Sequence, residues 1–296
     1  MPYTNTAGNM YMQLHERIPL GGLTAWTSTS FEKNFVSDSA VSWAKTHPYT
    51  PLAICALYLI FVFGGQRIMK QRKGFGIINQ LAVWNFALSL FSVIGAMKTV
   101  PHLMTNVLSR SFSDTICTPP SNDWGNGVTG FWVMLFVFSK IPELVDTAFI
   151  VARNKPLIFL HWYHHVTVLM YCFHAYATEA PQALYFVAMN YTVHAIMYGY
   201  FCLMALRMKP KWLPPIVITI LQLSQMVVGV GVQVASMVKY MRGDVASGAC
   251  PLDGGNVAAG ALMYASYFAL FFKFMIERFV LAPRKARQDK LAAKLA

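Results

Sequence analysis

Charge is what this sequence has least of. Asp, Glu, Lys and Arg together make up 12% of its 296 residues, roughly half the share of about 25% in an ordinary soluble domain. Apolar side chains fill the deficit, at 56%. That bias excludes one oversized soluble core and points to a bilayer. Acidic groups are scarcer still, 12 against 24 Lys and Arg, for a net charge of +12. Such an excess can signal nucleic acid. Here, however, the basic residues sit in short clusters between long apolar stretches, as in membrane proteins, and no nucleic-acid partner is expected. There is no internal repeat or low-complexity tract, and nothing marks a second domain. The first fifty residues lack a charged segment feeding a short apolar run, so no cleavable signal peptide is expected. The first long apolar stretch is expected to serve as an uncleaved signal-anchor.

What is present is a series of apolar segments long enough for the roughly 20 residues that a bilayer span needs. They fall near 51–63 (extended on either side), 77–97, 128–151, 157–176, 182–206, 213–238 and 256–281. The expected architecture is an all-α membrane protein of seven transmembrane helices. An N-terminal segment, 1–47, precedes the helical domain at 48–282, and a basic tail, 283–296, follows. Fifteen Lys and Arg fall in the loops and tail of one side, against seven on the other. The positive-inside rule then puts the N-terminus outside or in a lumen and the C-terminus in the cytosol. Cysteine is rare, with five in all. Cys55, Cys172 and Cys202 lie inside spans. Cys117 and Cys250 lie in two loops of the lumenal side, where a disulfide is chemically permitted; a bond and two free thiols both remain open.

Ionisable groups inside spans are costly and mark candidate sites. The third span carries Lys140, Glu143, Asp146 and Thr147 around Pro142, largely on one helical face. The fourth opens with His161, His164 and His165, which share an arc of about 100°. His174, on another side of that helix, is expected to be bland. The fifth carries Asn190, His194 and Tyr198 four residues apart, and the sixth Thr219, Gln222 and Gln225. Counted from each helix's cytosolic end, all lie within roughly 6–20 Å of that face, so one cavity can collect them.

These residues also compose four boxes in order: K-x-x-E-x-x-D-T (140–147), H-x-x-H-H (161–165), N-x-x-V-H-x-x-M-Y-x-Y (190–200) and T-x-x-Q-x-x-Q (219–225). In them the chain resembles the ELO-type very-long-chain fatty acid elongases, over roughly residues 40–285. Leu157 and the segment MNYTVHAIMY look most like the branch acting on saturated and monounsaturated chains. The resemblance implies a multi-pass endoplasmic-reticulum enzyme in which six of the seven helices enclose an acyl tunnel and the first packs outside. It implies a disulfide between Cys117 and Cys250. It further implies a 3-ketoacyl-CoA synthase that condenses acyl-CoA with malonyl-CoA, with His164 as the acyl-accepting nucleophile. The reductase and dehydratase of the elongation cycle are the expected partners, beside membrane lipid, and a homodimer is left open. The tail KLAAKLA departs from a dilysine retrieval signal, which separates the retention mechanism from the chemistry.

The residues support a histidine nucleophile on their own terms. No cysteine in the spans has a cationic neighbour to activate it, whereas a neutral imidazole can take an acyl group. His161, His165 and His194 are expected to assist. Lys140, Glu143, Asp146, Asn190, Tyr198, Gln222 and Gln225 are expected to support the imidazoles or the substrates. No metal and no cofactor are expected beyond the substrates acyl-CoA and malonyl-CoA. The main rival is a membrane diiron desaturase or hydroxylase, since H-x-x-H-H also suits iron. His15, His47 and His102 fall outside the cytosolic half of the spans, leaving five candidates and no second such box. A seven-helix receptor or transporter explains the span count but not three histidines on one face.

Overall fold

The computed structural model describes residues 27–282, and every regular element among them is helical. Residues 1–26 and the basic tail expected at 283–296 lie outside the described part. Two short helices, α1 (Ser30–Lys33) and α2 (Asp38–Thr46), precede the long ones. Then come α3 (Thr50–Met69), α4 (Ile78–Ser109), the short α5 (Phe112–Cys117) and α6 (Gly127–Ser139). Next are α7 (Val145–Ala152), α8 (Phe159–Ala177), α9 (Ala183–Ala205), α10 (Pro215–Met241) and α11 (Gly254–Ile276).

The seven expected spans correspond to α3, α4, α6 with α7, α8, α9, α10 and α11. Five of these are long and apolar enough to cross a membrane. Helices α8 and α9 fall short, and the count of seven is corrected to that extent. Their histidines, tyrosines and Asn190 lower the hydropathy because they carry the polar site. Large apolar side chains face outward from the others, among them Leu57, Ile60, Val83, Phe86 and Leu262. This is the surface of a multi-pass membrane protein, with lipid in the place of water.

Two spans differ from the expected outline. Helix α4 continues twelve residues beyond Met97, for 32 in all, although Lys98 and Pro101 read as an end. That extension buries Lys98, His102 and Asn106, and their contacts outweigh the helix-breaking tendency of proline. The third span is not one helix. Pro142 has no N–H for the Phe138 carbonyl, which accepts from Ile141 N–H at 3.2 Å instead. A 3-10 turn, Pro142–Leu144, separates α6 from α7.

Packing follows small residues against rings. A Cβ on Gly95 of α4 would run into the Tyr191 ring of α9, and one on Gly229 of α10 into the Tyr264 ring of α11. Each glycine lets a tyrosine lie against the neighbouring backbone. At one end of the bundle, Cys117 of α5 is bonded to Cys250 in the loop before α11, with Cα atoms 4.5 Å apart. Helix α2 packs on α8 at this disulfide end, and α1 on α6. Helix α3 lies against α7 and α8, and none of its residues lines either of the two main cavities. The remaining six long segments line the wider cavity, and all of them but α4 line the narrower one.

Candidate active site

The bundle holds two connected spaces. A wide vestibule of about 690 Å³ opens at the end opposite the disulfide, between residues of α4, α7, α8, α9, α10 and α11. A narrow channel with about 70 Å³ of open volume runs from there toward the disulfide end, lined by Val133, Phe136, Val168, Cys172, Phe186 and Met263 among others. His164, Asn190, Gln225 and Met226 line both. His164 therefore stands where the polar space meets the apolar one.

All but one of the eleven residues expected to act or assist line the vestibule: Glu143, Asp146, His161, His164, His165, Asn190, His194, Tyr198, Gln222 and Gln225. Lys140 sits behind them, 2% exposed. Its ammonium donates to both Glu143 carboxylate oxygens, at 2.7 and 3.0 Å, and to Asn190 Oδ1 at 3.3 Å. Asn190 Nδ2 in turn donates to His194 Nε2 at 3.2 Å. An amide whose oxygen faces an ammonium must present its NH₂ group to the imidazole, so His194 Nε2 is the acceptor and its proton lies on Nδ1. The ion pair thus fixes the orientation of one histidine through one asparagine. A buried pair of this kind is satisfied only if each remaining polar atom also finds a partner; Ser139 supplies one, donating to Glu143 Oε1 at 3.0 Å.

Asp146 does not join that pair, although the sequence spacing grouped them. It accepts from Trp84 Nε1 and from the Tyr198 hydroxyl, each at 2.6 Å. The break at Pro142 turns Asp146 toward α4 and α9. Thr147 is bonded to His161 Nε2 at 2.9 Å and to the Tyr58 hydroxyl of α3 at 2.7 Å. Helix α3 is thus tied to the histidine box from outside the ring. Gln222 donates to the Met197 sulfur at 3.2 Å.

The three box histidines differ in what their rings have already spent. His161 is held by Thr147, and its ring lies tilted against that of His165, 4.6 Å between centroids. His164 makes no ring hydrogen bond among the described residues. Its backbone carbonyl accepts from the Tyr267 hydroxyl at 3.1 Å, and the two rings lie 5.0 Å apart. Thr167, bonded to the same hydroxyl at 2.6 Å, completes the support. An imidazole held by its backbone and its ring face keeps both nitrogens for a ligand. Tyr58, Trp84 and Tyr267 were not legible as site residues. They are neutral aromatics in apolar runs, and only their placement gives them a role.

His174, expected to be bland, lies exposed near the disulfide end, with Nδ1 3.2 Å from Asn256 Nδ2. Among the described residues, no three His, Cys, Asp or Glu side chains are gathered so that they could hold a metal ion. Cys172 is buried in the channel wall, away from the box.

A family model, ELO: GNS1/SUR4 family, matches residues 43–287. The chain belongs to the ELO family. Very long chain fatty acid elongase 6 of Drosophila melanogaster is 38% identical over 267 residues, 90% of this chain and 83% of that protein. Very long chain fatty acid elongase 3 of Homo sapiens is 38% identical over 246 residues, covering 83% of this chain and 86% of its own length. Elongase 6 of Gallus gallus is 35% identical, over 87% and 95% of the two chains. The matched region of the ELO model takes in α3 to α11, and with them the whole vestibule and all of the channel lining but Ser37 and Val41.

Proposed function

We propose that this ELO protein is the condensing enzyme of fatty acid elongation, a 3-ketoacyl-CoA synthase acting on long-chain acyl-CoA and malonyl-CoA. The observation that carries the reading is the position of His164, with free ring nitrogens, where a wide polar vestibule narrows into an apolar channel. The vestibule suits a large polar head group, and Arg153 and Arg278 on its wall suit CoA phosphates. The channel suits a single alkyl chain. Names of the relatives, all very long chain fatty acid elongases, support the same substrate class.

In the proposed reaction a His164 nitrogen attacks the thioester carbonyl. The C–S bond breaks, and CoA leaves as the thiol with the imidazole proton. The product is an acyl-imidazole, which divides one difficult condensation into two easier steps. Malonyl-CoA then enters the vacated vestibule and loses CO₂. The resulting carbanion forms the new C–C bond at the acyl carbon, and the imidazole departs and regains a proton from water. Asn190, held by Lys140, keeps Nδ1–H of His194 as a donor, and Gln225 offers amide protons at the same junction; both are suited to oxyanions. The reaction so written uses no metal. We further place the enzyme in the endoplasmic-reticulum membrane, with its disulfide end lumenal and its vestibule cytosolic, beside the reductase and dehydratase of the cycle.

Intact-protein mass spectrometry with acyl-CoA alone tests the scheme. A mass increase of one acyl group, absent in His164→Ala, is expected, with CoA released before malonyl-CoA is added. An obligatory ternary complex with no trapped adduct would make His164 a base or binder instead.

A further inference from the structure

The channel ends at the disulfide end in a collar of polar groups, an unexpected finish for a space meant for hydrocarbon. Most of that collar is already satisfied. Trp124 Nε1 donates to the Pro181 carbonyl at 3.2 Å. The Ser37 hydroxyl donates to Asn126 at 3.2 Å, and Glu179 is paired with Lys45 at 2.6 Å. Two channel-lining groups are not. The Gln182 Oε1 atom and the Tyr176 hydroxyl are buried with no hydrogen-bond partner among the described residues, in side chains of residues only 1% and 7% exposed.

Neither can be rescued by its neighbours. Asn256 Oδ1 already accepts from Gln182 Nε2 and from the Tyr171 hydroxyl, each at 3.3 Å. Tyr171 in turn accepts from Gln233 Nε2 at 3.0 Å. With the Asn256 oxygen facing it, Gln182 presents Nε2 there and its own oxygen is left unpaired. What remains is one buried acceptor and one buried hydroxyl, on two residues that line the channel, in a setting where an unmet polar group is costly.

We propose that the far end of the channel is a subsite for a hydroxyl at the tail of the acyl chain, accepted by Gln182 and completed by Tyr176. A terminal hydroxyl carries one donor, for Gln182 Oε1, and two acceptor sites, one of them for Tyr176 O–H. A methyl-ended chain offers neither. From His164 to Tyr176 is twelve residues along α8, or roughly 18 Å, so only a long chain reaches this end. The substrate class is therefore the ω-hydroxylated long-chain acyl-CoA. The proposal rests on the channel holding the acyl group in the condensing reaction.

The test pairs methyl-ended and ω-hydroxy acyl-CoAs of equal length, across a length series, with the purified full chain and malonyl-CoA. The measured quantity is the ratio of KM for the hydroxy chain to KM for its methyl counterpart. A dry apolar end rejects a buried hydroxyl by tenfold or more at every length. The subsite predicts a ratio near or below one at the single length that reaches the collar. Gln182→Leu and Tyr176→Phe should each raise it at least tenfold there and leave shorter pairs as they were. The methyl-ended chain on the same variant controls for folding. A ratio above ten at every length in the unaltered protein, or a ratio that neither variant moves, overturns the proposal and leaves a water-filled or empty end. Acyl-CoA binding by thermal shift without malonyl-CoA reads the same ratio. Failure of condensation alone therefore sinks the functional reading and not the subsite.

Discussion

Two histidines in this bundle have opposite lives. His102, in the extension of α4, has both ring nitrogens engaged: Nδ1 faces the Thr129 hydroxyl at 3.0 Å and Nε2 the Asp123 carboxylate at 2.8 Å. Asp123 also accepts from Asn106 at 2.7 Å and pairs with Arg110 at 3.2 Å. His164, at the mouth of the channel, is anchored only by its carbonyl and ring face. The disulfide end consumes nearly all its polar groups in one another, and the vestibule leaves the His164 ring open to a visitor. The first arrangement holds a fold together. The second leaves the same residue type free for the proposed chemistry and gives up whatever stability the bonds would have contributed. Gln182 and Tyr176 matter for this reason, as open groups in the closed half.

Exchanging the two histidines for alanine should separate the roles. His164→Ala is expected to lower condensation by a factor of about 10³ or more, the loss typical of a removed nucleophile, with thermal stability nearly unchanged. His102→Ala should do the reverse. It leaves Asp123 short of a donor at a cost of about 1–3 kcal/mol, while the folded fraction still condenses. Equal losses of activity and stability in both variants would erase the distinction.

Breaking the disulfide end itself comes next in size. Cys117 and Cys250 are 133 residues apart in sequence, and removing a bridge over a loop of that order costs about 2–4 kcal/mol. Cys117→Ser with Cys250→Ser should therefore lower the thermal midpoint clearly, with the order of events at His164 retained. A smaller loss, about 1–3 kcal/mol for forced overpacking, is expected for Gly95→Ala, because the Tyr191 ring must move. Tyr191→Phe at the same position removes only its bond to the Trp132 carbonyl. It should cost less, a comparison that thermal unfolding can read.

Much of the vestibule was legible in the sequence because ionisable residues in apolar runs announce themselves, and their shared depth predicted a common cavity. Asp146 lines the vestibule with the rest, but its partners were not legible, for a physical reason. Helical spacing put it with Lys140 and Glu143, but Pro142 breaks the helix and sends it to Trp84 and Tyr198. The supports of the box were hidden because Tyr58 and Tyr267 look like ordinary span residues. The long reach of α4 was hidden by Pro101 and Lys98, whose local signals yield to burial against α6. Gln182 gave no signal either, as it stands at the start of a span where polar residues are commonplace.

The smallest expected effect concerns acid. Burial alone would raise the carboxyl of Asp123, but the His102 hydrogen bond and charge, the Arg110 guanidinium and the Asn106 amide hold it below the ordinary carboxylate range. A group whose folded-state pKa is depressed contributes stability that is fully present above its unfolded value of about 3.9 and is lost as pH falls through the folded value. The contribution is therefore intact at neutral pH and fades only in strong acid. Asp123→Asn cannot titrate. The variant should be less stable than the parent at pH 7, and the gap should narrow below about pH 4. Thermal unfolding across that range measures it. A gap that stays constant would mean that Asp123 acts through shape and hydrogen bonds, with its charge contributing nothing to the closed half of the bundle.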